Sequence, residues 1–154
     1  MALRFFLIAM LIKKIIHHTD CSSLLEIDEF IKKNINGVKT FRYYSKRPYN
    51  IIKNHIYTCL YYIDNICVGY GHLDYEDNKI WLGIMVSDSQ IGNKIGDKIM
   101  DDLLLNSNTD VYLSVDFDNK YAISLYEKKQ FKIVENKINH HIMKLKKIKL
   151  WQIH

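Results

Sequence analysis

The run Asn119-Lys120-Tyr121-Ala122-Ile123-Ser124-Leu125-Tyr126-Glu127-Lys128-Lys129-Gln130-Phe131 decides how this chain folds. Ala122, Leu125 and Tyr126 stand at helical spacing and predict a short helix over residues 120–129. Asn119 precedes it, a residue type whose side chain accepts from the free amides of a helix start. Residues 111–115, with Leu113-Ser114-Val115 at their end, have strand character. The unit therefore reads strand, Asn turn, helix, then a further strand over residues 131–134 beginning at Phe131.

Upstream, Ile95, Ile99 and Leu103 recur every four residues and mark an amphipathic helix. The loop Ile91-Gly92-Asn93-Lys94-Ile95-Gly96 leads into it. Before the loop, residues 56–63, 66–75 and 79–86 are three strand-type runs parted by short polar turns, an antiparallel meander. Residues 11–17 read as a first strand. Ser23 and Glu26 have capping-box spacing ahead of Leu24, Ile27 and Ile31, and Gly37 is placed to end that helix. Residues 41–54 are mixed, with Pro48 at the start of a second short helix. Residues 138–145 read as a last strand. The order predicts an α+β fold: a mixed, mostly antiparallel central sheet of about six to seven strands, flanked by about four helices.

At 154 residues the chain is one domain's length, read here as a single domain over 1–154. Residues 1–9 read as a leader and 146–154 as a basic tail. A hydrophobic fraction of 48% and a charged fraction of 25% exclude disordered and fibrous classes. The apolar run at 5–12 is far short of the ~20 residues that span a bilayer, so no membrane partner is expected. Cys21, Cys59 and Cys67 have no metal-ligand spacing; no metal, no disulfide framework and a cytoplasmic setting are expected. The net charge of +5 fits a phosphate-bearing ligand as well as nucleic acid. No nucleic-acid-binding motif accompanies it, so no nucleic-acid partner is expected. A homodimer is compatible with the reading.

The loop at 91–96 carries chemistry. Amides at a helix start are unpaired and lie at the positive end of the helix dipole. Glycine lets an anion approach the main chain, and the combination suits a pyrophosphate. Gly92 as a plain turn and Gly96 as a packing residue is the structural alternative.

Together the two blocks resemble the GCN5-related N-acetyltransferase (GNAT) superfamily. Its pyrophosphate loop reads Gln/Arg-x-x-Gly-x-Gly/Ala, and its later helix carries Ala-x-x-Leu-Tyr-x-Lys-x-Gly-Phe after an Asn. Asn119, Ala122, Leu125, Tyr126, Lys128 and Phe131 match the second pattern, and only Gln130 departs, replacing Gly. In the first, Ile91 stands where Gln or Arg is usual and Lys94 where the middle Gly is usual. The resemblance implies acetyl-CoA as donor substrate, with Met85, Val86, Ile91, Gly92, Asn93, Lys94, Gly96, Asn119 and Tyr126 at its site. It implies an oxyanion-binding amide at Met85 or Val86, a pantetheine contact from Asn119, and Tyr126 as the acid that protonates the departing thiolate.

The acceptor amine must lose a proton before it attacks. His72, Asp74 and Glu76 alternate along one strand face and point the same way; His55, His140 and His141 are further candidates. His72 is preferred as the base because an unperturbed imidazole titrates near neutrality, and the glycines of Gly69-Tyr70-Gly71-His72 are expected to leave room beside it. Arg42 and Arg47 are suited to clamp a phosphate or carboxylate, with Tyr44, His55 and Asp74 beside them. The pattern Phe41-Arg42-Tyr43-Tyr44, Asn54-His55, Gly69-Tyr70-Gly71-His72-Leu73-Asp74 and Trp81-Leu82-Gly83-Ile84 is similar to that of acetyltransferases acting on nucleotide-linked amino sugars. A polyamine, another small amine or a protein amino group is the alternative acceptor, and a non-catalytic acyl-CoA- or nucleic-acid-binding module the alternative class.

Overall fold

The computed structural model describes residues 10–148. The expected leader at 1–9 and residues 149–154 of the expected tail lie outside them. The elements are β1 (Ile12–Ile15), α1 (Cys21–Lys33), α2 (Ile35–Thr40), β2 (His55–Ile63), β3 (Ile66–Glu76), β4 (Lys79–Val86), α3 (Ile95–Leu105), β5 (Val111–Asp116), α4 (Lys120–Lys128), β6 (Lys132–Asn136) and β7 (His140–Leu145). Short 3-10 turns at Tyr43–Ser45, Tyr49–Asn54 and Asp88–Gln90 fill the connections. The seven strands form one sheet in the order β1-β2-β3-β4-β5-β7-β6. Every pairing is antiparallel except β4 with β5. No helix among the described residues is long and apolar enough to cross a membrane.

The meander forms because its turns suit two-residue hairpins. Asp64-Asn65 and Asp77-Asn78 all take positive φ, the backbone that matches the twist of the flanking strands. One sheet face carries Leu60, Tyr70 and Met85 against Ile27 and Phe30 of α1. The other carries Leu73 and Leu113 against Ile99 and Leu103 of α3, with Tyr126 and Phe131 closing the layer. Gly69 and Gly71 belong to this second face. A Cβ on Gly71 would stand 2.9 Å from Ile99, and one on Gly69 would collide with the same side chain. They let α3 lie on β3 and make no room beside His72, contrary to expectation.

Two local expectations are corrected. The α1 cap is Asp20, whose carboxylate accepts from the amides of Ser22 and Ser23. Ser23 lies inside the helix, and Glu26 holds Lys14 and Tyr62 instead. Gly37 does not end α1; it lies within α2, where its amide donates to Asp88. The second short helix of residues 41–54 appears as two 3-10 turns, with Pro48 starting the later one.

The sheet has one weak seam. β4 and β5 are in register only at Ile80↔Val111 and Trp81↔Tyr112; beyond these pairs the strands part. The amide of Ser87 donates to Val68 at 2.8 Å. Because antiparallel pairs alternate between bonded and non-bonded, the β3–β4 register then turns Met85 toward β3. The backbone groups of Ile84 and Val86 face the gap beside β5.

Candidate active site

Two cavities open at this seam and meet. The larger, about 430 Å³, lies over β3 and the mouth of the gap. The smaller, about 270 Å³, runs from the gap to the start of α3. Thr40, Phe41, Ile84, Asn119 and Tyr126 line both, so the two form one bent groove with Tyr126 at the bend.

The smaller arm ends on the loop before α3. Among the described residues, the amides of Gly92, Lys94, Ile95, Gly96 and Asp97 donate to no protein acceptor. Gly92 has φ +89° with open space around it, so its backbone conformation is what demands glycine. A Cβ on Gly96 would make only ordinary contacts, 3.5 Å from Leu125 and Val86. Met85, Val86, Ile91, Gly92, Gly96, Asn119 and Tyr126 line this arm. Asn93 and Lys94 do not; Asn93 bonds Gln90 at 3.0 Å.

Asn119 caps α4, its Oδ1 accepting from the Ala122 amide at 3.2 Å; its Nδ2 has no partner among the described residues. Tyr126 is 8% exposed, and burial pushes its hydroxyl up to about 12. Among the described residues its oxygen has no hydrogen-bond partner. No buried polar side-chain atom among the described residues lacks a partner, so this hydroxyl reaches the groove.

The larger arm is walled by β3. His72, Asp74 and Glu76 all line it, as their alternation predicted. His72 is 2% exposed; its Nδ1 bonds the Tyr70 hydroxyl at 2.7 Å, and Tyr70 bonds Tyr44 at 2.6 Å. Using every hydroxyl hydrogen requires Tyr44 to donate to Tyr70 and Tyr70 to His72. That direction puts the imidazole proton on Nε2, the ring nitrogen left for the cavity. Burial, with His55 and Arg47 nearby, holds His72 well below the usual imidazole range. Room for its ring comes from Gly83, its register partner on β4.

Asp74 accepts from the Tyr43 hydroxyl at 2.6 Å. Tyr43 also bonds His55 Nε2 at 2.8 Å, and His55 Nδ1 bonds Thr58 at 2.7 Å. Burial takes His55 down to about 4, against the opposing pull of Asp74. His55 and Tyr44 do not line the groove; both stand behind its wall. Arg42 holds Asp116 at 2.7 Å. Arg47 lies over the Tyr43 ring, 4.5 Å from its centroid, and 3.5 Å from Glu76. Both arginines line the larger cavity, and both have a carboxylate partner within the protein. Sequence reasoning gave no individual role to Tyr43, Gly83, Trp81 or Asp116. Tyr43, Trp81 and Gly83 stood in the runs Phe41-Arg42-Tyr43-Tyr44 and Trp81-Leu82-Gly83-Ile84; Asp116 left no signal.

The sequence model of the Acetyltransferase (GNAT) domain family matches residues 29–148. The chain belongs to the GNAT family. Among solved structures the fold is similar to a GNAT-family acetyltransferase of Streptococcus pneumoniae, with 16% identity, 90% of this chain and 100% of that one covered, and a TM-score of 0.69. It is similar to an acetyltransferase of Salmonella typhimurium solved with its cofactor acetyl-CoA (14% identity, 92% and 96% covered, TM-score 0.65). It is also similar to an N-acetyltransferase of Thermoplasma acidophilum in complex with coenzyme A (18% identity, 89% and 99% covered, TM-score 0.65). Among curated proteins no sequence relative matches.

Two places where this GNAT chain lacks a glycine share one backbone state. Lys94 has φ 61° and Gln130 φ 73°, both left-handed. Gln130 ends α4 in a Schellman motif: its amide donates to Glu127 at 2.9 Å and that of Phe131 to Tyr126 at 3.0 Å. The backbone retains the conformation that glycine adopts freely, and the two side chains bear its cost. Among the described residues no His, Cys, Asp and Glu groups are arranged to hold a metal ion.

Proposed function

We propose that this GNAT chain transfers an acetyl group from acetyl-CoA to a primary amine of a small molecule, by direct attack of the amine on the thioester. One observation carries the reading: the groove joins an anion-suited loop to a second, larger cavity, with Tyr126 lining both. The free amides at 92 and 94–97 suit the CoA pyrophosphate. The Val86 and Ile84 amides, open to the seam, suit the pantetheine arm and the oxyanion that forms on the thioester carbonyl. Tyr126, protonated at neutral pH, is suited to give its proton to the departing thiolate.

For His72 to act as the base, the Tyr44–Tyr70–His72 chain must run in reverse, with Nδ1 protonated and the Nε2 lone pair toward the amine. A nucleotide-linked amino sugar would require Arg42 and Arg47 to exchange Asp116 and Glu76 for its phosphates. The cavity wall favours a second acceptor chemistry, because it carries three carboxylates, Asp74, Glu76 and Asp116, against those two arginines.

The test is a free-thiol assay with acetyl-CoA and a panel of UDP- and dTDP-linked amino sugars, polyamines, amino acids and peptides. Turnover with a small amine supports the reading. CoA binding without turnover on any amine would replace it with a non-catalytic acyl-CoA-binding role, and salt-dependent retention of DNA or RNA would favour the nucleic-acid module.

A further inference from the structure

Asp74 is an unusual buried carboxylate. It is 4% exposed and accepts one hydrogen bond, to Oδ2 from Tyr43. Among the described residues no lysine, arginine or histidine lies within ion-pair distance of it. Burying a carboxylate without a cation is costly. His55, its register partner on β2, reaches it only through the Tyr43 hydroxyl, and Arg47 is directed to Glu76 and to the Tyr43 ring. The second oxygen, Oδ1, has no protein partner, and no sealed polar atom is left unpaired among the described residues. Oδ1 therefore opens onto the larger cavity that Asp74 lines.

The position of Asp74 along β3 sets a distance. His72 pairs with Gly83, one residue before Ile84 at the bend of the groove; Asp74 pairs with Trp81, deeper in the acceptor arm. Residues two apart on a strand lie roughly 6.8 Å apart on the same face. An extended four-carbon chain with nitrogen at each end has that reach.

We infer that the acceptor is an aliphatic amine carrying a second positive charge, which Asp74 holds while the first nitrogen lies at His72. The inference rests on the acetyl-transfer reading for its first nitrogen only. The bound species carries ammonium groups at both ends. With the Tyr44–Tyr70–His72 chain reversed, His72 Nε2 takes one proton from the ammonium at the bend and later releases it to solvent. The neutral nitrogen attacks the acetyl carbonyl, the carbon–sulfur bond breaks as Tyr126 protonates the leaving sulfur, and the second nitrogen proton returns to the Tyr126 oxygen. The nitrogen at Asp74 keeps its charge throughout. Phe41, Tyr43 and Trp81 line the cavity and supply aromatic surface for a methylene chain and a cation.

The test compares 1,4-diaminobutane with butylamine on the full chain. Calorimetric titration of each into the CoA-loaded protein reads binding, and acetyl-CoA turnover reads kcat/KM. A charge-assisted contact predicts roughly 10–100-fold preference for the diamine. Asp74→Asn, which keeps size and an acceptor for Tyr43, should bring that ratio toward one. Equal binding of the two amines by the native protein overturns the inference without any variant. So does a diamine preference that survives Asp74→Asn, or turnover confined to a UDP-linked amino sugar. Selective diamine binding without turnover upholds the Asp74 site and overturns acetyl transfer instead.

Discussion

The His72 ring occupies the space that a side chain on Gly83 would fill: a Cβ there would stand 2.7 Å from Nε2 and 3.0 Å from Nδ1. The ring cannot easily yield. It stacks on His55 at 4.5 Å, meets Tyr43 at 4.3 Å and is tied to Tyr70. Gly83→Ala should therefore destabilise the fold by roughly 1–3 kcal/mol, the usual cost of overpacking. Urea unfolding measures it. Native stability in this variant would show that the imidazole swings into the cavity at little cost.

Lys94 and Gln130 supply the opposite case. Left-handed backbone costs a residue with a Cβ roughly 1–2 kcal/mol, and glycine gives part of that back through its own unfolded-state entropy. Lys94→Gly and Gln130→Gly should each raise stability by about 0.5–1 kcal/mol. Lys128 and Lys129 bind Asp97 between the two sites, so the double variant reads whether the gains add or couple. A melting temperature that falls in either variant contradicts the backbone account.

Tyr126→Phe separates chemistry from packing. The ring stays, and no protein hydrogen bond is lost. Turnover should fall by ~10²–10⁴-fold while CoA affinity by calorimetry and unfolding stability stay near native values. Unchanged turnover would assign the thiolate's proton to solvent.

Acid should loosen the wall of the larger cavity. His55 and His72 are held neutral in the fold, below their unfolded range. Between the unfolded value near 6.5 and the folded value near 4 for His55, the unfolded chain binds the extra proton. Stability from this source is thus unaffected above pH 6.5 and falls as pH drops toward 4. Each such histidine contributes a slope of up to about 1.4 kcal/mol per pH unit. His55→Phe should flatten the decline measured by urea midpoints between pH 7 and 5. His55 faces Asp74, Arg47, Tyr43, Thr58 and His72, so the readout is the slope, not its absolute position.

The sequence spoke most clearly where periodicity and turn chemistry act locally. The meander, α3 and the Asn119–Phe131 block are set by residues within a few positions of one another. The same locality explains why His72, Asp74 and Glu76 could be placed on one wall. What could not be read depends on long-range partners. Asp20 caps α1 in place of Ser23, whose amide and hydroxyl both donate to it, and Glu26 is drawn to Lys14 and Tyr62, the latter 36 residues away. Gly69 and Gly71 serve α3, whereas His72 is accommodated by a glycine on the neighbouring strand. The pairing of Arg42 with Asp116 and of Arg47 with Glu76 joins residues distant in the chain.

The seam between β4 and β5 bears on how the protein comes apart. Two residue pairs are all that carry the ladder from the β1–β4 half to the β5, β7 and β6 half. Backbone groups at Ile84 and Val86 stand open along the rest. An occupant with amide groups of its own stitches the halves together where the polypeptide does not. Cohesion of the sheet then becomes a property of the loaded molecule. At a hundredfold excess over Kd such an occupant adds about 2.7 kcal/mol to the fold, and amide-exchange protection should rise along β5 and β7 as well as at the groove.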